Sequence, residues 1–116
     1  MNGYFEKVVI KGGKLEVGEE SLEMQLPVIE AVLHDNKIIV LLDPDSRAEK
    51  YGQFPNLIAI DRSGTTVWTA ELPTKESGDA YYRIASAEPL IVYSVFSYSC
   101  RIDPQTGKIE EKRFFK

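Results

Sequence analysis

The chain has 116 residues, 43% of them hydrophobic and 28% charged, with a formal net charge of −4. That length predicts one domain with one modest core. The acidic balance argues against nucleic acid, which rewards clustered Lys and Arg; no apolar run reaches the ~18–20 residues that span a bilayer; and a lone cysteine, Cys100, offers no disulfide, redox pair or zinc knuckle.

The first residues, Met1-Asn2-Gly3-Tyr4-Phe5-Glu6-Lys7, lack a basic segment followed by an apolar one, so the chain reads as cytoplasmic. Residues 4–10 predict a strand from the β-formers Tyr4, Phe5, Val8, Val9 and Ile10. Lys11-Gly12-Gly13-Lys14 is a turn signal. Residues 19–23 fit strand better than helix, because Met24-Gln25-Leu26-Pro27 echoes Thr69-Ala70-Glu71-Leu72-Pro73. Val28 to Leu33 is a further strand, and His34-Asp35-Asn36-Lys37 a tight turn. Lys37 to Leu42 is a continuous apolar run after its first residue. Residues 43–55 are polar, with two prolines and Gly52, and predict a long loop. Leu57 to Ile60 and Thr66 to Leu72 form a hairpin across Asp61-Arg62-Ser63-Gly64-Thr65. After a linker over 73–79 come a strand at Tyr81 to Ala85, a second apolar run at Leu90 to Phe96, and a hairpin of Tyr98 to Ile102 with Lys108 to Phe115. Short, regularly punctuated strands are the all-β signature.

The last two-thirds repeats itself. Each copy is an apolar strand, a strand ending in Asp, a turn closing on Gly, and a final strand. The chain divides into a partial first unit (1–27), a first repeat (28–73) and a second repeat (74–116). Repetition at about this period predicts blades of a β-propeller-like, antiparallel meander; a two-sheet sandwich is the alternative. The runs 38–42 and 90–96 do not alternate, so each is expected to be covered on both faces. A chain this short must curl into a sandwich or barrel or find those covers in other copies of itself, and the propeller-like reading predicts a homo-oligomer.

The cassette Leu57-Ile58-Ala59-Ile60-Asp61-Arg62-Ser63-Gly64-Thr65-Thr66-Val67-Trp68 resembles the blade motif of quinoprotein-like (PQQ-type) β-propellers. Ile102-Asp103-Pro104-Gln105-Thr106-Gly107-Lys108 matches another form of the same turn and lacks the Trp, with Glu111 or Lys112 in its place. The resemblance covers residues 28–116. It implies that Asp61 and Asp103 order the turns, Gly64 and Gly107 take positive φ, and Trp68 wedges between blades. The family's enzymes hold a quinone and calcium among many blades. This chain has too few blades and no matching cofactor positions, so the resemblance implies a scaffold and no cofactor.

Candidate chemistry is sparse. His34, the only histidine, has no nucleophile at a recognisable spacing and reads as a solvated turn residue. Asp43-Pro44-Asp45-Ser46 lacks the glycine of a calcium loop and reads as an Asx-turn, with no metal expected. Within 43–55, Arg47, Lys50, Tyr51, Gln53 and Phe54 mix charge with aromatics and form the expected contact surface, Phe54 serving otherwise as a core anchor. Tyr81, Tyr82, Tyr93, Phe96 and Tyr98 form a second aromatic set, in which Tyr81 and Tyr82 point to opposite faces. Cys100 reads as a small buried hydrophobe. The expected function is non-enzymatic binding or scaffolding of a protein partner. The alternative is a small-molecule or carbohydrate module that uses surface tyrosines.

Overall fold

The computed structural model describes residues 8–24, 26–44 and 52–115. They are all-β and form three antiparallel sheets. The N-terminal sheet is β1 (Val8–Lys11), β2 (Lys14–Val17) and β3 (Glu20–Leu22). The central sheet is β4 (Val28–His34), β5 (Lys37–Leu42), β6 (Leu57–Ile60) and β7 (Thr66–Thr69). The C-terminal sheet is β8 (Tyr81–Ala87), β9 (Leu90–Ser94), β10 (Tyr98–Ile102) and β11 (Ile109–Phe114). Each sheet is a meander of strands adjacent in sequence. Residues 4–7 of the first predicted strand lie outside the described residues, and the 19–23 segment is strand, as its sequence suggests.

The central sheet is the filling of the stack. Successive side chains of a strand face opposite ways, and β5 uses both sets. Ile39 and Leu41 enter a core shared with Ala59 and Trp68 of the same sheet and with Leu90, Val92, Cys100 and Ile102 of the C-terminal sheet. Ile38, Val40 and Leu42 enter another core with Leu15 and Val17 of the N-terminal sheet. The expectation for 38–42 therefore holds, but the covers come from the chain's own sheets. For 90–96 it fails. The strand stops at Ser94, with Val95 and Phe96 exposed in the following turn. Leu90, Val92 and Ser94 are buried while Ile91 and Tyr93 stay half-exposed. The reason is position: among the described residues, no further sheet lies beyond the C-terminal one.

The Asp–Gly turns bind each sheet to its predecessor. Asp61 Oδ1 accepts from the Ser63 hydroxyl at 2.7 Å and from the Ser63 and Thr65 amides. Asp103 Oδ1 accepts from the Gln105 amide, and its carbonyl accepts from Gly107. The first turn places Gly64 against Leu22 of β3, and the second places Gly107 against Trp68 of β7. The Trp68 indole N–H donates to the Pro104 carbonyl at 2.8 Å. Leu22 and Trp68 thus take equivalent wedge positions, each on the last strand of the preceding sheet.

The Ser63 hydroxyl, then the Thr65 amide, hold the Asp61 carboxyl below its ordinary value of 3.8. A depressed carboxylate stabilises the fold fully above that ordinary value and loses its contribution as pH falls through the lower folded value. In an NMR titration, Ser63→Ala is expected to move the Asp61 midpoint up toward 3.8. An unchanged midpoint would remove the hydroxyl as the cause.

A buried polar junction ties the central and C-terminal sheets together. Asn56 is fully buried; its amide donates to the carbonyls of Leu42 and Tyr81, and its oxygen accepts from the Tyr81 amide. Asp79, also buried, accepts from the Thr74 amide and hydroxyl and from the Ala80 amide. The Tyr81 hydroxyl donates to the Glu71 carbonyl.

Candidate functional site

The expected contact loop is only partly visible. Arg47, Lys50 and Tyr51 lie outside the described residues. Gln53 donates its amide to the carbonyls of Thr74 and Glu76, which fastens the loop's end to the 73–79 linker. Phe54 is half-buried and packs against the core between the N-terminal and central sheets. Asp61, Gly64, Trp68, Asp103 and Gly107 serve the turns and wedge described above.

His34 departs from its expected exposure. Its side chain is 16% accessible, with Nδ1 buried and 3.7 Å from the Asp35 carboxylate. It shares a strand face with Val32, which packs against a core, while Leu33 between them stays exposed on the other face. Cys100 is fully buried, and that burial pushes its thiol pKa up, away from the reactive thiolate. Among the described residues, no three His, Cys, Asp or Glu side chains converge as a metal site. No helix there is long and apolar enough to cross a membrane.

The aromatic set divides as alternation requires. Tyr81 is buried in the core, and burial raises its phenol pKa. Tyr98 meets Phe114 edge-on, with the Lys112 ammonium 5.2 Å from its ring centre. Tyr82 and Tyr93 come together on the outer face of the C-terminal sheet, where Phe115 joins them. Ring centres are 6.2 Å apart for Tyr82–Tyr93 and 5.2 Å for Tyr93–Phe115.

Register builds the rest of that face. Ser99 of β10 pairs with Tyr93 on one side and Arg113 on the other. Arg101 pairs likewise with Ile91 and Glu111. A register shift between Tyr81 and Arg83 makes room for Tyr82 as an extra residue, and both Tyr82 and Arg83 are exposed opposite Tyr93. The bulge re-aims a side chain, as bulges do. Arg101 reaches Glu110 at 3.3 Å, and Arg113 reaches Glu111 at 3.3 Å. Exposed pairs of this kind contribute about 0–1 kcal/mol, so either guanidinium can exchange its carboxylate at little cost. Pro89, Ile91, Ser99, Arg101, Glu111 and Arg113 line a shallow groove of about 260 Å³.

The two ends of the stack differ. The outward positions of the N-terminal sheet include Val9, Lys11, Lys14 and Glu16, with Val9 exposed and Lys14 paired to Glu23 at 3.4 Å. Among the described residues that face holds no arginine and no aromatic ring. The outer C-terminal face carries three of the chain's five arginines and Glu111, with Ile91, two tyrosines and a phenylalanine. Arg and aromatic residues are enriched at interfaces, whereas Lys and Glu are depleted. Sequence reasoning found Tyr82 and Tyr93 but missed Arg83, Arg101, Arg113 and Phe115 as their companions. Period-two alternation would have put Arg101, Arg113 and Phe115 on one face had the register of β10 and β11 been known.

A groove of about 630 Å³ runs between the 70–75 segment and β11. Two of its polar groups serve the fold: Lys112 Nζ donates to the Pro73 carbonyl at 2.6 Å, and Glu71 Oε1 accepts from the Ile109 amide.

No curated protein matches the sequence. Residues 5–114 match the family model described as Domain of unknown function (DUF7957). With nearly the whole length covered, the chain belongs to the DUF7957 family.

Proposed function

We propose that the protein is a non-enzymatic binding module whose contact surface is the outer face of the C-terminal sheet. The observation that carries this reading is the gathering of three arginines and three aromatic rings at one end of the stack, beside Glu110 and Glu111, where the other end's described residues offer Lys, Glu and Val9. Its architecture fits a short run of propeller-like blades, because each four-stranded meander seats its Asp–Gly turn on a wedge of the sheet before. One buried free thiol suits a reducing compartment such as the cytoplasm.

A photo-crosslinking phenylalanine in place of Tyr93, in cells of the native host, is expected to give a discrete protein adduct. The same group in place of Glu16 should give none. The adduct should disappear with Arg101→Ala while the melting temperature holds. Adducts from both positions alike, or from neither, would sink the reading.

The small-molecule or carbohydrate alternative rests on the Tyr82 and Tyr93 rings. They are tilted 50° to one another and so form no single flat stacking platform. The adjoining groove of about 260 Å³ also falls below the roughly 300–1,000 Å³ of ordinary ligand pockets. Both observations favour a protein partner.

A further inference from the structure

We infer that the open edge of β1 takes up an extended strand from a partner protein, antiparallel to β1, as the fourth strand of the N-terminal sheet. This contact goes beyond the reading of the C-terminal face and lies at the other end of the stack.

The central and C-terminal sheets have four strands each, the N-terminal sheet three. Cross-strand register identifies the missing one. Across the central sheet, Trp68 of β7, Ala59 of β6, Ile39 of β5 and Val32 of β4 stand side by side. In the N-terminal sheet the row starts from the other wedge, Leu22 of β3, passes through Leu15 of β2 to Ile10 of β1, and stops. So β1 is the counterpart of β5, and the counterpart of β4 is absent among the described residues. Its absence leaves apolar surface open. Ile39 is completely buried, whereas Ile10 is 36% exposed. On one side of β4, Val32 packs against a core where β8, the first strand of the next sheet, lies alongside. On the other side Leu33 is 44% exposed, although its cross-strand partner Ile38 is completely buried.

The backbone of β1 is set to receive a strand. Gly12 and Gly13, at φ +60° and +80°, make the two-residue turn between β1 and β2. In such a hairpin the flanking residues, Lys11 and Lys14, exchange both hydrogen bonds, and alternation puts the next bonded pair at Val9 and Glu16. The N–H and C=O of Val8 and Ile10 therefore point away from β2, along an edge that no described strand pairs. Strand addition uses such groups for affinity and alternate side chains for specificity.

Those side chains define the occupant. The residue beside Ile10 faces inward and is apolar, as Val32 is beside Ile39. The residue before it falls beside Lys11 on the outer face. Lys11 stands opposite Lys14, a like-charge pair that an acidic neighbour relieves. The residue beside Val8 faces inward again and is apolar. The occupant thus reads acidic, apolar, unrestricted, apolar along its chain. A second copy has no strand to spare, because every described strand already belongs to one of the three sheets. The added strand lies about 9–10 Å from Glu16, across two strand spacings, so Glu16 still serves as the control position for the C-terminal face.

An NMR titration of the full chain with the acetylated, amidated peptide Ser-Glu-Val-Thr-Val-Thr tests this. The amides of Val8 to Lys11 and of Leu33 are expected to shift and to saturate by about 1 mM, while those of Ile91 and Tyr93 stay in place. Lys11→Glu should weaken this peptide about threefold to tenfold and should favour the same peptide with Lys for Glu. Leu33→Ser should weaken both peptides without lowering the melting temperature. No shift along β1, equal shifts with a shuffled peptide, or indifference to the Lys11 exchange overturns the inference. Slow hydrogen exchange at the Ile10 amide of the free chain also overturns it, because the edge would then be filled already, by the chain itself or by a second copy. A Tyr93 crosslink depends on none of these results, so the two contacts stand or fall separately.

Discussion

Gly107→Ala is expected to lower the melting temperature by about 10–20 °C, the steepest fall of any single methyl addition among the turns discussed. The effect has two physical sources. Gly107 sits at φ +80°, where a Cβ costs about 1–2 kcal/mol. A Cβ there would also lie 2.6 Å from Trp68 Cε3 and 2.8 Å from Cδ2. The indole cannot swing aside, because its N–H is held by the Pro104 carbonyl and its ring is buried in the core between two sheets. Overpacking of that kind costs about 1–3 kcal/mol more. The total, about 2–5 kcal/mol, is a large part of the roughly 5–15 kcal/mol that holds an ordinary domain together. Gly64 separates the two sources. Its φ is +93°, but its Cβ would meet Leu22 at 3.6 Å, an ordinary contact. Gly64→Ala should therefore lose only the backbone part. Equal losses at the two glycines, followed by circular dichroism, would mean that Trp68 is not a rigid wedge. Trp68→Leu should also make Gly107→Ala milder, since the two residues touch and couple.

The turns were legible in the sequence because their chemistry is local, and the resemblance supplied Trp68 as a wedge, but that it seats the Pro104–Gly107 turn 36 residues on was not legible. An Asp that orders amides two to four residues on, a glycine at the turn's close and an aromatic shortly after are fixed by spacing along one stretch of chain. The strands and their hairpins were legible for the same reason. What covers each strand was not. Ile38 to Leu42 and Leu90 to Phe96 look alike as strings, yet one lies in the central sheet and the other at the end of the stack. Layer order decides burial of the second face, and layer order is a long-range property. The binding face was half legible. Tyr82 and Tyr93 announced themselves, but the bulge at Tyr82 and the registers that bring Arg101, Arg113 and Phe115 to the same side appear only once strands are paired. The burial of His34 was hidden because a turn sequence says nothing of the sheet packed beside it. Asn56 gave no signal at all: between Pro55 and Leu57 it reads as the end of a loop, and its partners stand 14 and 25 residues away.

Asn56→Ala is expected to be as damaging as the glycine change, by a different route. The side chain spends both amide hydrogens and its oxygen inside the protein, at 2.8 Å to the Leu42 carbonyl, 2.7 Å to the Tyr81 carbonyl and 2.9 Å from the Tyr81 amide. Alanine leaves two carbonyls and one N–H buried without partners. Each costs about 1–3 kcal/mol, so the sum is on the order of 3–9 kcal/mol before any water enters. Leu42 ends β5 and Tyr81 begins β8, so the loss falls on the seam between the central and C-terminal sheets. Hydrogen exchange should show the Tyr81 amide losing protection before the centre of β5 does. Asn56→Asp tells bonding from packing, because it keeps the shape and changes only the donors. The ionised carboxylate of that variant would still accept from the Tyr81 amide but would face two carbonyl oxygens with no hydrogen to give. Protonation returns one donor, so the folded state should raise that carboxyl's pKa above the unfolded value of about 3.9. A raised folded pKa means stability present below the unfolded value and lost as pH rises through the folded one. Relative to wild type, Asn56→Asp should thus be least damaged near pH 4 and worst near pH 7, as read from urea midpoints. A deficit that does not change with pH would show that Asn56 holds the seam by filling space, not by its three hydrogen bonds.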